Sequence, residues 1–247
     1  MSYAKRFYRK SMGKRFISFT LKERETDLWI GINKESFSEK FIEIANEKVK
    51  KARNEIVGYA LTHPEFYTSL LPLPYDSEAP ETVKHMIKVS RKADVGPMAA
   101  VAGAIAEKVG RSLVEAGARE VVVENGGDIF VKIDKPIIVG IFSGKSPLNG
   151  KVLLRVEENE TPCGICTSSA TIGHSISFGA ADAVTVISKD TALADGLATK
   201  YCNKVKSEND VNRVLKDFPS DAGGIVVIIN DVLGSIGKNV HFVGGTI

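Results

Sequence analysis

An α+β fold with largely antiparallel sheets and helices packed on one face is the class this sequence predicts. Stretches rich in β-formers outnumber helical ones. Several of those stretches follow one another with no helix between them. The helical stretches carry one apolar face each, which needs a sheet to cover it.

The first element is a hairpin: FISFTL at 16–21 and LWIGI at 28–32 flank the polar KERETD. A long helix follows, because Phe37, Phe41, Ile44, Ala45, Val49, Ala52, Ile56 and Ala60 recur at three- and four-residue steps. Ser36 and Glu39 fit a capping box at its start, and His63-Pro64 ends it. Residues 64–80, with four prolines, read as a linker or as a crossing loop. A short helix is expected over 81–92 and a small-residue helix over 98–116. Strands are expected at 120–124, 129–133, 137–142, 152–156 and 182–188. Helices are expected near 190–202 and 208–217. The end reads as closing strands separated by Asn-Asp and Gly-Lys-Asn turns.

The 247 residues, 43% hydrophobic and 26% charged, are ordinary for a globular protein and enough to bury a core without staples. A net charge of +3 argues against nucleic acid as the partner. Lys5, Arg6, Arg9, Lys10, Lys14 and Arg15 cluster in a basic arm over 1–15, expected to be solvated. No apolar stretch reaches the ~20 residues of a membrane span, and FISFTLKE is too polar for a signal-peptide core. The expected location is the cytoplasm. A homodimer is the default assembly.

Three stretches are suited to chemistry. Glu124-Asn125-Gly126-Gly127-Asp128 follows the apolar run VVV. Its glycines free the backbone for a tight hairpin turn or for an anion. In ALADGLAT, Asp195 and Thr199 are four residues apart and share a helical face. They offer two oxygen ligands of the kind Mg²⁺ takes together with phosphate and water. The alternative is that Asp195 only stabilises the start of its own helix. CGICTSSATIGHSISFG, 163–179, brings Thr167, Ser168, Ser169 and His174. Its hydroxyls suit phosphate or an oxyanion. Cys163 and Cys166, with Cys202 further on, leave open a thiol or metal site; Cys166 with His174 leaves open a Cys/His hydrolase. Buried thiols are the plain alternative.

Taken in order, GGDI after a strand, then Thr-Ser-Ser, a histidine, and DAVTVIS…ALADGLAT resemble the ApbE superfamily of flavin transferases. The likeness reaches back to DVGPMAAVAGAIAE, so its core is 94–202 within one domain of 1–247. The resemblance implies a pair of T-fold-like units. It implies a Mg²⁺-dependent enzyme that takes FAD and transfers its FMN moiety to an acceptor protein or small molecule, or hydrolyses the pyrophosphate. Asp195 and Thr199 would be metal ligands, with a carbonyl of the VGPMAA turn as a third. Asn125, Gly126, Gly127 and Asp128, with Thr167 and Ser168, would line the flavin nucleotide site. His174 would deprotonate the acceptor hydroxyl. The sequence departs from the family where His174 is not followed by Asp-Pro and where Ser169 replaces a glycine. A non-catalytic flavin- or nucleotide-binding protein on the same fold is the alternative, as is a thiol or metal protein using Cys163, Cys166 and Cys202.

Overall fold

The computed structural model describes residues 15–172 and 178–245. The first two β-rich runs pair as an antiparallel hairpin, β1 (Phe16–Glu23) and β2 (Thr26–Asn33). The basic arm lies outside the described residues except for Arg15. Its guanidinium pairs with Glu120 and donates to the Lys135 and Pro136 carbonyls at 2.9 and 3.1 Å. Arg15 is therefore fixed to the fold rather than solvated.

Helix α1 (Lys40–Thr62) buries Phe41, Ala45, Val49, Ala52 and Ile56, the face its spacing predicts. The capping box does not form. Ser36 Oγ is taken by Asn33 Oδ1 and by the Arg119 amide, so no side chain caps α1. The Pro-rich segment is a crossing loop. It holds the single turn α2 (Glu65–Thr68), and it sends Phe66 and Ala79 into the same apolar cluster as α1. Helix α3 (Glu81–Ala93) follows as expected. The small-residue helix starts later than its composition suggests: Pro97–Ala100 is a 3₁₀ turn, and α4 runs Val101–Glu115.

Eight strands and two helices follow before the last short strand. They are β3 (Val121–Asn125), β4 (Asp128–Lys132), β5 (Ile137–Ile141), β6 (Val152–Val156), β7 (Cys163–Ser168), β8 (Ala183–Ser188), α5 (Thr191–Lys204), α6 (Asp210–Asp217), β9 (Gly224–Ile229) and β10 (Val232–Gly237), followed by β11 (Phe242–Val243). Strand β7 is absent from the sequence-based expectation, because its Gly, Thr and Ser content looks like a loop.

The main sheet has the order β1-β2-β3-β4-β7-β8-β9-β10, antiparallel throughout. The chain leaves it after β4 to build a second, three-stranded sheet, β11-β6-β5. Every residue of β8 and β9 is buried, which requires cover on both faces. The helices cover one face, against Val184, Val186, Ile225 and Val227. The small sheet covers the other, with Val152, Leu154 and Val156 against Ile165, Ile187, Val226 and Ile228. The second cover was not legible in the sequence. Among the described residues, no helix is long and apolar enough to cross a membrane.

Helix α4 lies close to the sheet because it carries glycine where it crosses β4. A Cβ at Gly110 would stand 2.0 Å from Cδ1 of Phe130, a ring 1% exposed in a packed core. Gly110→Ala gains about 1 kcal/mol of helix propensity and is expected to lose more by overpacking, which costs about 1–3 kcal/mol. A net fall of the denaturation midpoint is the expected result; an unchanged or raised midpoint would show that Phe130 can move aside.

Candidate functional site

The hairpin reading of the glycine turn holds. Asn125 and Asp128 pair directly across β3 and β4. Gly126 and Gly127 close the turn with φ of 73° and 115°, a left-handed pair that glycine adopts freely. The Gly127 N–H donates to Glu124 Oε1 at 3.1 Å. Asn125 Nδ2 donates to the Ala102 carbonyl at 3.1 Å, tying the turn to the start of α4.

Asp128 points to the helix side of the sheet. It stands opposite Cys166 of β7, and Cys166 belongs to the helix-side cluster. Asp195 approaches the same region from α5. Asp128 is 9% exposed and Asp195 8%, and the charge of Asp195 acts on Asp128. Two segments distant in sequence thus meet, as the resemblance implies. Asp195 is past the first turn of its own helix, so it does not cap α5. It caps α4 instead: its carboxylate accepts from the Gly103 amide at 2.8 Å and from the Ala102 amide.

Electrostatics at this pair are unfavourable without a cation. Burial pushes Asp195 up to about 7, although the Gly103 and Ala102 amides pull it down. Asp128 is raised as well, first by burial and then by the charge of Asp195, with Glu124 adding to it. The Cys166 thiol and the Thr167 amide donate to it and oppose the rise. Hard oxygen donors around a buried surplus of negative charge fit a divalent cation.

The other expected site residues are placed unequally. Thr199 is half-buried, one turn beyond Asp195 on α5. The VGPMAA turn packs under α5, where a Cβ on Gly196 would meet Ala93 Cβ at 3.1 Å and Val95 Cγ2 at 3.6 Å. Ser168 is buried at the end of β7. The Thr167 hydroxyl does not join this group. It bonds Thr185 Oγ1 at 2.8 Å, because successive strand residues alternate faces and Thr167 follows Cys166. Only its amide reaches Asp128. His174 lies outside the described residues.

The three cysteines do not form one site. Cys163 and Cys166, three apart on a strand, face opposite sides of the sheet: Cys163 joins the inter-sheet cluster, Cys166 and Cys202 the helix-side one. All three are buried thiols outside any disulfide. Burial pushes the Cys163 thiol up to about 12 and raises Cys166 as well, so neither is an activated nucleophile.

Sequence reasoning missed Glu107. It is 4% exposed on α4 and accepts the first amides of α5, Thr191 N at 2.8 Å and Ala192 N at 3.4 Å. The two helices therefore cap each other: Asp195 of α5 holds the start of α4, and Glu107 of α4 holds the start of α5. Gly103 permits the crossing, since a Cβ there would lie 2.5 Å from the Thr191 carbonyl and 2.9 Å from Asp195 Cβ. A glutamate set among the small residues of the first half of α4 is the sequence signal for this role.

Comparison with known proteins agrees with this architecture. The family model described as AbpE bacteria matches residues 9–230. The UPF0280 protein of Methanocaldococcus jannaschii is 39% identical over 222 residues, spanning 87% of this chain and 88% of its own. That of Methanospirillum hungatei is 46% identical over 162 residues, 66% of each chain. Among solved structures, the ApbE protein of Thermotoga maritima superposes with a TM-score of 0.63 at 11% identity, covering 89% of this chain and 96% of that one. The flavin transferase ApbE of Vibrio cholerae gives 0.60 at 14% identity, covering 90% and 96%. At such identities the likeness is one of fold. The matched model, spanning nearly the whole chain, and the UPF0280 relatives establish that the chain belongs to the AbpE bacteria family.

Proposed function

We infer that this protein is a Mg²⁺-dependent enzyme that cleaves the pyrophosphate of FAD and passes the FMN moiety to a hydroxyl acceptor or to water. The observation that carries this reading is the meeting of the buried Asp128 and Asp195 carboxyls in one place beside the start of α4. Asp195 and Thr199 would hold the metal, with a carbonyl of the 95–100 turn in reach of α5. Bound there, the cation would neutralise charge on the phosphoryl oxygens.

The chain's own residues would do the rest. Gly127 leaves an open backbone on which a nucleotide can lie, since a Cβ there would meet nothing nearer than the Thr167 carbonyl at 3.6 Å. Ser168 supplies a hydroxyl at the end of β7. The acceptor oxygen forms a bond to the FMN phosphorus as the bond from that phosphorus to the bridging oxygen breaks. AMP leaves with the bridging oxygen. The proton of the acceptor hydroxyl would go to His174, because imidazole is the side chain suited to general-base work near neutral pH.

Incubation of the full chain with FAD and Mg²⁺, followed by chromatography, is expected to release AMP together with free or transferred FMN. EDTA is expected to stop it. FAD bound but intact would replace this reading with that of a flavin-binding protein. Neither binding nor cleavage would sink the flavin assignment. His174→Ala is expected to lower the rate by about 10²–10⁴-fold; an unchanged rate would remove His174 from the mechanism.

A further inference from the structure

Helix α3 brings a histidine to the place where α4 and α5 cap each other. His85 Nε2 lies 3.0 Å from Asp190 Oδ2. Asp190 is the N-cap of α5, its Oδ1 accepting the Leu193 amide at 2.9 Å. Glu107 completes the group: ligand atoms of His85, Glu107 and Asp190 all lie within 4.8 Å of one another. We propose that these three side chains form a binding site for a divalent transition-metal ion such as Zn²⁺, separate from the Asp128–Asp195 pair and independent of the flavin reading.

The donor set is one imidazole and two carboxylates, which suits Zn²⁺ with a fourth position open to water. Imidazole favours a transition ion over Mg²⁺. Tetrahedral ligands about 2 Å from the ion stand roughly 3.3 Å apart, so the group needs to contract by only a side-chain adjustment. Each carboxylate is already aimed by outer contacts, as metal ligands commonly are. Arg111 Nε donates to Glu107 Oε1 at 2.6 Å, the α5 amides bond Oε2, and Leu193 N bonds Asp190. The Leu193 amide takes Asp190 Oδ1 and leaves Oδ2 facing His85; on Glu107, Oε2 accepts both α5 amides and Oε1 accepts Arg111, so the ion shares Oε1 with that guanidinium.

Access and burial also fit. The side chains of His85 and Asp190 are 33% and 37% exposed, which gives the ion an entry and room for water. Glu107 is buried behind them. Within this group Arg111 offsets one negative charge, so the ion meets a site of modest net charge. On binding, the ion takes the imidazole nitrogen in place of any proton there, and the proton is released to solvent. An ion here would join α3, α4 and the first turn of α5.

The test is titration of the metal-free full chain with Zn²⁺, beside His85→Ala, Asp190→Asn and Asp195→Asn. Asp190→Asn keeps a good N-cap while removing the charged ligand, so it separates binding from folding. The expected result is a Zn²⁺ equivalent weakened at least about 10-fold by His85→Ala and by Asp190→Asn. The same equivalent is expected to persist in Asp195→Asn. Zn²⁺ should raise the melting temperature of the wild type and not that of Asp190→Asn. The Co²⁺ form should show d–d bands without thiolate charge transfer. Zn²⁺ affinity unchanged in both His85→Ala and Asp190→Asn would overturn the site. So would loss of the equivalent only in Asp195→Asn, or a thiolate band in the Co²⁺ form.

Discussion

Asp195→Asn is expected to abolish Mg²⁺-dependent FAD cleavage and, in chelator, to make the protein more stable. The two effects have one cause. In the metal-free fold the Asp195 carboxyl is buried, faces Asp128, and has its pKa raised to about 7. A carboxyl whose folded pKa lies above its unfolded value binds more protons in the native state. Its burial therefore costs nothing below about pH 4, and the cost grows as pH rises toward 7. Asparagine keeps an acceptor for the Gly103 amide and carries no charge. The expected gain at pH 7.5 is on the order of 2 kcal/mol, or roughly 4–8 °C in melting temperature for a chain of this size. The wild type should lose stability from pH 4 to 7 relative to the variant. An Asp195→Asn protein less stable than wild type in EDTA would show that the buried pair is not strained in the absence of metal.

Glu107→Ala is expected to cost about 1–3 kcal/mol, the range for leaving buried donors without their acceptor. It leaves the Thr191 and Ala192 amides without their acceptor and Arg111 without its partner. Glu107→Gln keeps a carbonyl for the amides and loses only the charge, so its cost is expected to be less than half as large. Denaturant titration of both variants checks this. Equal costs would mean that the charge on Arg111, and not the cap on α5, is what Glu107 serves.

Much of the fold was legible because periodicity reports burial. The α1 face, the closing strands and the Asn230-Asp231 turn follow directly from apolar spacing and turn residues. What failed was set by tertiary contacts. Strand β7 is built from Gly, Cys, Thr and Ser because α5 presses on it: a Cβ at Gly164 would lie 2.4 Å from Thr191 Cα. Small residues needed for close approach look like a loop in a linear reading. Ser36 lost its capping role to Asn33, a competitor on the preceding strand. At the site, Asp128, Asp195 and the glycine turn stand out in the sequence, and the fold brings the two acids together. The Thr167 hydroxyl was misplaced because its strand, and hence its face, was not recognised. Glu107, His85 and Asp190 come from three elements, and no local pattern joins them.

The division of the cysteines between two layers gives the molecule internal reporters of its own opening. Cys163 sits between the two sheets; Cys166 on β7 and Cys202 on α5 sit in the layer between helices and main sheet. A thiol reagent is expected to reach Cys163 when the small sheet lifts, and the other two when the helices leave the main sheet. The order in which the thiols are labelled under native conditions therefore reads out which layer detaches first, without any introduced probe.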